Sequence, residues 1–214
     1  MTRFHALTLA ICLCLPASGA VTHPHVFVDV GLRFESDGKG NLTGVEVTWR
    51  YDDFFSLLIL SDMGLDADGD GALTDTERAR LKGFDLEEWP EGFEGDLYIH
   101  RGAEKIALDH PVPTGVALTE GRIVATHRRS FGPVPADGVR VEPYDPTYYV
   151  EYTLAGPVDL PQGCTHSIRE PDLDESQRAF REMIAELSAE EQFDGIEVGN
   201  IFSDMMVISC TAGS

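Results

Sequence analysis

The chain has 214 residues, which is long enough for one domain with a large hydrophobic core. It contains 37 Asp and Glu residues against 16 Lys and Arg residues, so its formal net charge is −21. A charge of this sign and size repels polyanions, which excludes nucleic acid and anionic lipid as general partners.

Residues 1–20 have the pattern of a secretory signal peptide. Arg3 supplies a positive charge, ALTLAICLCL is a short apolar run, and Ser18 and Ala20 occupy the small-residue positions of a cleavage site. The run is too short to cross a bilayer, and no later segment is apolar enough to do so. We therefore expect export to the periplasm, a mature domain over residues 21–214 and no membrane span. An N-terminal anchor helix is the alternative.

Residues 23–35, HPHVFVDVGLRFE, alternate in the manner of a β-strand, with Val26, Val28 and Val30 on the face directed to the core. The opposite face begins with His23 and His25. Two residues on a strand place their Cα atoms about 7 Å apart, so both imidazoles can bind one transition-metal ion. Solvated histidines are the alternative.

Cleavage after Ala20 would make His23 the third residue of the mature chain. The terminal amine, two backbone amides and the imidazole then supply four in-plane nitrogens, a set that suits Cu(II) or Ni(II). His25 can lie near an axial position or bind a second ion. The candidate ions at this end of the chain are nickel, cobalt, zinc and copper, and a frayed terminus is the alternative.

A second predicted strand over residues 45–51 pairs back on the first, and residues 52–83 then have the pattern of an EF-hand. Residues 66–77, DADGDGALTDTE, fill every position of the twelve-residue calcium loop, with Gly71 at the sharp turn and Leu73 packed beneath. The predicted calcium ligands are Asp66, Asp68, Asp70, the carbonyl of Ala72, Thr74 and Glu77. No second such loop occurs in the sequence, so the predicted calcium is structural rather than sensory.

The helix before this loop begins after Asp52 and is apolar on nearly all sides, with the sequence FFSLLILSDM. We therefore expect it to be buried. The sequence TDTERARLKGF predicts the helix after the loop, ending near Gly83.

Short alternating segments follow, from DLYIH to TYYVEYTL, separated by Gly, Pro and Asp residues. Asp172 and Glu175 form a predicted capping box for an amphipathic helix, and DMMVISC is the predicted last strand. The apolar face of that helix comprises Leu173, Phe180, Ile184 and Leu187. The predicted class is α+β, an antiparallel β-sheet or sandwich with an inserted EF-hand-like helix-loop-helix and a C-terminal amphipathic helix, in one domain.

Cys164 and Cys210 are the cysteines that remain after signal-peptide removal. An even pair in an oxidising compartment predicts a disulfide. Thiolate metal ligands are the alternative, although close CxxC spacing is absent.

Common catalytic motifs are missing from the sequence, including HExxH, G-x-S-x-G and glycine-rich phosphate loops. His100, His110, His127 and His166 occur singly, as expected of surface or hydrogen-bonded histidines. We therefore predict no catalytic residues and no enzyme.

Three segments together carry a resemblance: HPHVFVDV after the signal peptide, TWRYDDFFSLLIL before the loop, and YDPTYYVEY followed by a cysteine. They resemble a family of exported bacterial proteins of unassigned function, described as periplasmic components associated with nickel/cobalt-type permeases or related metal uptake systems. The resemblance covers residues 23–164. It implies an accessory protein that binds or hands over divalent transition-metal ions, with a membrane metal permease as partner.

Asp145, in the YDPTYY segment, is the candidate third ligand beside His23 and His25, and an Asp-Pro turn is the alternative. A different function is also open. The protein would then be a calcium-stabilised interaction module without a transition-metal role, binding a protein partner through Tyr144, Tyr148, Tyr149 and Tyr152.

Overall fold

A computed structural model of the protein describes residues 26–90, 93–184, 187 and 197–211. In chain order the elements are β1 (Val26–Ser36), β2 (Asn41–Tyr51), α1 (Asp53–Met63), α2 (Asp75–Leu81), β3 (Leu97–Arg101), β4 (Glu104–Ile106), β5 (Val112–Thr119), β6 (Arg122–Pro135), β7 (Val139–Pro143), β8 (Val150–Thr153), β9 (Val158–Asp159), β10 (Cys164–Arg169), α3 (Glu175–Ile184) and β11 (Met205–Cys210). Short 3₁₀ turns occur at Phe84–Leu86 and Gly199–Ile201. The predicted α+β class, a sheet sandwich with few helices, is confirmed.

The first sheet has the strand order β5-β6-β2-β1-β8, and β9 also pairs with β1. β1 and β2 form the predicted antiparallel pair, in which Val30 lies opposite Trp49. The alternation of β1 is confirmed, because its valines at 26, 28 and 30 are all buried. β8 and β9, however, pair with β1 in parallel. Apolar alternation gives the face of each residue but not the direction of the neighbouring strand, so this mixed pairing was not predicted.

The second sheet has the order β10-β11-β7-β3-β4, and all its pairs are antiparallel. Its inner residues share one hydrophobic cluster with those of the first sheet. Leu32 and Val47 come from the first sheet, while Ile99, Val141 and Met206 come from the second. Two sheets that are each apolar on one face are stable when those faces pack together.

The predicted burial of the helix before the acidic loop is wrong. On α1 only Ser56 and Leu60 are buried, whereas Phe54, Leu57 and Leu58 are exposed. The helix packs against β6 of the first sheet, where the Ser56 hydroxyl accepts a hydrogen bond from the backbone N–H of Ile123. An apolar helix surface is buried only where another element covers it, and no described residue covers this one.

The C-terminal helix is present, but its capping box differs from the predicted Asp172 and Glu175. Asp174 accepts a hydrogen bond from the Gln177 backbone, and the Gln177 side chain accepts one from the Asp174 backbone. Both pairs satisfy the same sequence pattern, and only the point where the chain turns into α3 decides between them. The predicted apolar residues Leu173, Phe180 and Ile184 pack in a small second cluster with Tyr148 and Phe202.

The predicted disulfide between Cys164 and Cys210 is confirmed. The two residues lie directly opposite each other at the ends of β10 and β11, with their Cα atoms 4.0 Å apart. The bond therefore joins the edge strand of the second sheet to its neighbour and closes a loop with a sequence separation of 46.

No helix within the described part of the chain is long and apolar enough to cross a membrane. The predicted signal peptide, residues 1–20, lies outside the described residues, as do residues 185–186 and 188–191 of the predicted C-terminal helix.

We expect the Cys164→Ala/Cys210→Ala variant to lose up to about 4 kcal/mol in its free energy of unfolding, because the unfolded chain regains the entropy of the open loop. Urea denaturation of the variant and the wild-type protein measures this loss. Alkylation of the native protein without reductant should label neither cysteine. Labelling of both thiols in protein folded in an oxidising compartment would contradict the disulfide.

Candidate metal sites

The acidic loop connects α1 to α2, and it brings its first three aspartates together. Carboxylate oxygens of Asp66, Asp68 and Asp70 all lie within 4.8 Å of one another. Asp66 has φ 49° and Gly71 has φ 73°, so the chain turns through the left-handed region at positions 1 and 6 of the loop. Leu73 is buried beneath the loop, as predicted from position 8. The result is a set of oxygen donors of the kind that a hard cation such as Ca²⁺ prefers.

Glu77 joins the end of the loop to its beginning. One of its carboxylate oxygens accepts a hydrogen bond from the Asp66 backbone N–H at 3.0 Å, and the other accepts from the backbone and hydroxyl of Thr74. These hydrogen bonds, led by the one from the Thr74 hydroxyl, hold the pKa of Glu77 below its usual value. Thr74 and Glu77 also form the capping box of α2. Positions 1, 9 and 12 of the loop are therefore already close together.

His23 and His25, the predicted transition-metal ligands, lie outside the described residues. Asp145, the predicted third ligand, lies in the turn before β8. Its carboxylate accepts hydrogen bonds from Thr147, Tyr149 and Val150, including three backbone N–H groups at 2.8 to 3.0 Å. This is the hydrogen-bond pattern of an Asp turn, the alternative that the sequence left open.

The same turn lies beside the point where the chain enters β1. Val26, the first residue of β1, is paired in parallel with Val150, whose backbone N–H donates to Asp145. The Asp145 turn therefore lies beside Val26, the first residue of β1.

A carboxyl group that the sequence did not single out lies between the two sheets. Asp96 precedes β3, is 7% exposed, and accepts a hydrogen bond from the Tyr152 hydroxyl at 3.0 Å. Burial raises the pKa of Asp96 to about 8, and the negative charge of Asp145 contributes to the shift. The second carboxylate oxygen of Asp96 has no hydrogen-bond partner among the described residues.

His127 departs from the expectation for isolated histidines. Its ring is buried against Trp49, with 4.6 Å between ring centroids, and neither ring nitrogen has a hydrogen-bond partner within the described segments. Burial, assisted by Arg129, lowers its pKa to about 3, so the ring is neutral and packs as a core side chain. Its place in an alternating strand is the signal that indicates this, since it faces inward like its neighbours Ala125 and Arg129.

Together, the fold and these sites define a two-sheet α+β protein with an acidic helix-loop-helix and a disulfide-linked pair of C-terminal strands. The family model described as a protein of unknown function (DUF1007) matches residues 8–210, so the chain belongs to that family. No functionally curated protein matches the sequence. One similar solved structure is AChBP from Bulinus truncatus, with 11% identity, 87% coverage of each chain and a TM-score of 0.28, which is too low to inform fold or function.

Asp96 makes a pH-dependent contribution to stability that can be measured. Its pKa is about 8 in the folded protein and about 3.9 in an unfolded chain, so the folded state binds the proton more tightly. Its favourable contribution is therefore complete below about pH 4 and is lost as the pH rises towards 8, by at most about 1.4 kcal/mol per pH unit. Urea denaturation measures the free energy of unfolding at about pH 5 and about pH 8. Its decrease between these two pH values should be smaller for Asp96→Asn than for the wild-type protein.

The matched control is Asp159→Asn, at an exposed position on β9, which should keep the wild-type pH dependence. A wild-type pH dependence in Asp96→Asn as well would show that Asp96 is not the group responsible.

Proposed function

We propose that the protein is a non-catalytic, calcium-stabilised accessory protein of the periplasm, with one Ca²⁺ bound by residues 66–77. The observation that carries the proposal is the convergence of the Asp66, Asp68 and Asp70 oxygens within 4.8 Å. The ion would be held by these carboxylates, the carbonyl of Ala72, and the side chains of Thr74 and Glu77. Ca²⁺ bound there neutralises carboxylates that otherwise repel each other.

The attachment of the loop to the rest of the fold supports a structural role for the ion. The Arg78 guanidinium donates to the backbone carbonyls of Leu73 and Val116, which ties the loop to β5. Arg80 donates to the carbonyl of Met63 at the end of α1. Since both ends of the loop are held in place, Ca²⁺ would lock an existing arrangement rather than open a new surface.

Calcium should raise the melting temperature of the wild-type protein. A single loop that binds with a Kd of about 10⁻⁴ to 10⁻³ M gains about 0.4 to 1.4 kcal/mol at about 1 mM Ca²⁺. For a domain of this size that is a shift of about 1 to 5 °C. Differential scanning calorimetry with and without Ca²⁺ measures it.

Glu77→Gln is the test variant, because Gln preserves the capping box of α2 while removing one charge from the loop. Its amide nitrogen cannot accept the hydrogen bond that the Asp66 backbone N–H donates to Glu77, so we expect the variant to melt slightly below the wild-type protein without calcium. We also expect it to lose most of the calcium response. Asp75→Asn, on the same helix but not among the predicted ligands, should respond normally. An equal response of Glu77→Gln and the wild-type protein would mean that the ion binds elsewhere.

We further propose that His23 and His25 bind a divalent transition metal, which the protein hands over to or receives from a membrane permease. The observation that favours this role is the pairing of Val26 with Val150, which brings the start of β1 to the Asp145 turn. Asp145 is the candidate third ligand. It would have to exchange some of its hydrogen bonds for the metal, so its part in the site is weaker than that of the two histidines.

The exposed tyrosine surface considered as an alternative is not supported. Tyr148 and Tyr152 are buried, and Tyr144 is stacked on Tyr98 with 4.0 Å between ring centroids. Tyr152 lies on β8, whereas Tyr144 and Tyr148 belong to the segment between β7 and β8. All three rings pack against other described residues. A binding surface for a protein partner must therefore be sought elsewhere on the molecule.

N-terminal sequencing followed by Ni(II) or Cu(II) titration tests the transition-metal proposal. A mature chain that begins at Val21 should bind either ion with a visible absorption band, because His23 is then third from a free amine. One extra N-terminal residue should abolish the band and weaken binding at least tenfold. The same band and affinity after the extension would exclude this site, and elemental analysis of untagged protein would show whether any transition metal is bound stoichiometrically.

A further inference from the structure

The outer side of α1 carries a stripe of large apolar side chains. Phe54, Leu57 and Leu58 are 75%, 65% and 45% exposed, and they have the i, i+3, i+4 spacing by which one helix packs on another. Helices on the surface of a domain normally place polar residues on this side. Single exposed apolar residues are common on protein surfaces, but several adjacent ones indicate a binding site.

The direction of the stripe is fixed by the rest of the fold. The Asp52 carboxylate accepts a hydrogen bond from the Phe55 backbone at the start of α1, and Gly64 ends the helix in a left-handed conformation. On the inner side the Ser56 hydroxyl accepts from Ile123, and Leu60 is buried. Since the inner side is anchored in this way, rotation of α1 cannot hide the stripe.

An exposed aspartate stands at each end of the stripe. Asp53 and Asp62 are nine residues apart, which is about 14 Å along a helix axis. Arg122 lies 3.6 Å from Asp53 and 3.2 Å from Asp29. Arg50 lies 3.9 Å from Asp29 and 2.9 Å from Glu120. Two arginines therefore face three carboxylates, and this end of the helix keeps a net negative charge. Beyond Asp62 lies the acidic loop. The surface is therefore apolar in the middle and acidic at both ends.

We propose that this face of α1 is a docking surface for a basic amphipathic helix of another protein, with apolar residues along its centre and Lys or Arg near both ends. The argument is one of charge complementarity. An anionic membrane would be repelled by the net charge of −21. A second copy of the chain would place Asp53 or Asp62 against another aspartate in either helix orientation. The proposal does not depend on calcium or transition-metal binding.

The probe is a synthetic amphipathic helix of about 14 Leu and Lys residues, compared with a Leu/Glu peptide of the same pattern. In isothermal titration calorimetry at constant Ca²⁺, the wild-type protein should bind the Leu/Lys peptide and not the Leu/Glu peptide. Leu57→Ser/Leu58→Ser should weaken binding at least tenfold. Asp53→Asn/Asp62→Asn should also weaken it and reduce its dependence on salt. Val112→Ser, at another exposed apolar residue, is the matched control and should bind normally.

NMR titration of the wild-type protein with the Leu/Lys peptide needs no variant, so the result does not depend on whether the variants fold. The peptide should shift the backbone amide signals of residues 53–62. Equal peptide affinity of the Leu57/Leu58 variant, or perturbations confined to other surfaces, would overturn the proposal. So would self-association or binding to phosphatidylcholine vesicles that is lost in the Leu57/Leu58 variant, because the occupant would then be a second copy or a lipid surface.

Discussion

The pairing of β1 on both of its edges is the constraint on which the rest of the structure depends. β2 pairs with one edge of β1 in the antiparallel orientation. β8 and β9 pair with the other edge of β1 in the parallel orientation. Asp52 and Phe27 exchange hydrogen bonds at the end of β2, which fixes the start of α1. The Asp145 turn is fixed at the start of β8. β1 thus positions both the acidic helix-loop-helix and the Asp145 turn.

The features that the sequence predicted correctly depend on local rules. Val26, Val28 and Val30 face the core because side chains of a strand alternate, whatever lies beside the strand. The disulfide was predicted from the two cysteines outside the predicted signal peptide, and the close approach of Asp66, Asp68 and Asp70 follows from their spacing around a glycine turn. None of these needs knowledge of the tertiary arrangement.

The features that the sequence did not predict depend on which elements meet in space. The residues of α1 are apolar on nearly every side, and composition alone does not show that only Ser56 and Leu60 are covered. The parallel direction of β8 depends on the path of the chain through the second sheet. The isolation of Asp96 between the sheets likewise depends on tertiary packing, because the Tyr152 hydroxyl that reaches it comes from 56 residues away.

The acidic loop and the apolar stripe share one helix, which links the two proposals mechanically. Gly64 ends α1 just before Asp66, so an ion bound by the loop would restrain the end of the helix that carries Leu57 and Leu58. Restraint of a binding surface before the partner arrives lowers the conformational entropy lost on docking. If both proposals hold, bound calcium strengthens association without touching the partner or changing the shape of the surface. The single loop would then act as a support for the proposed docking helix, which is a role that needs neither cooperativity nor a second ion.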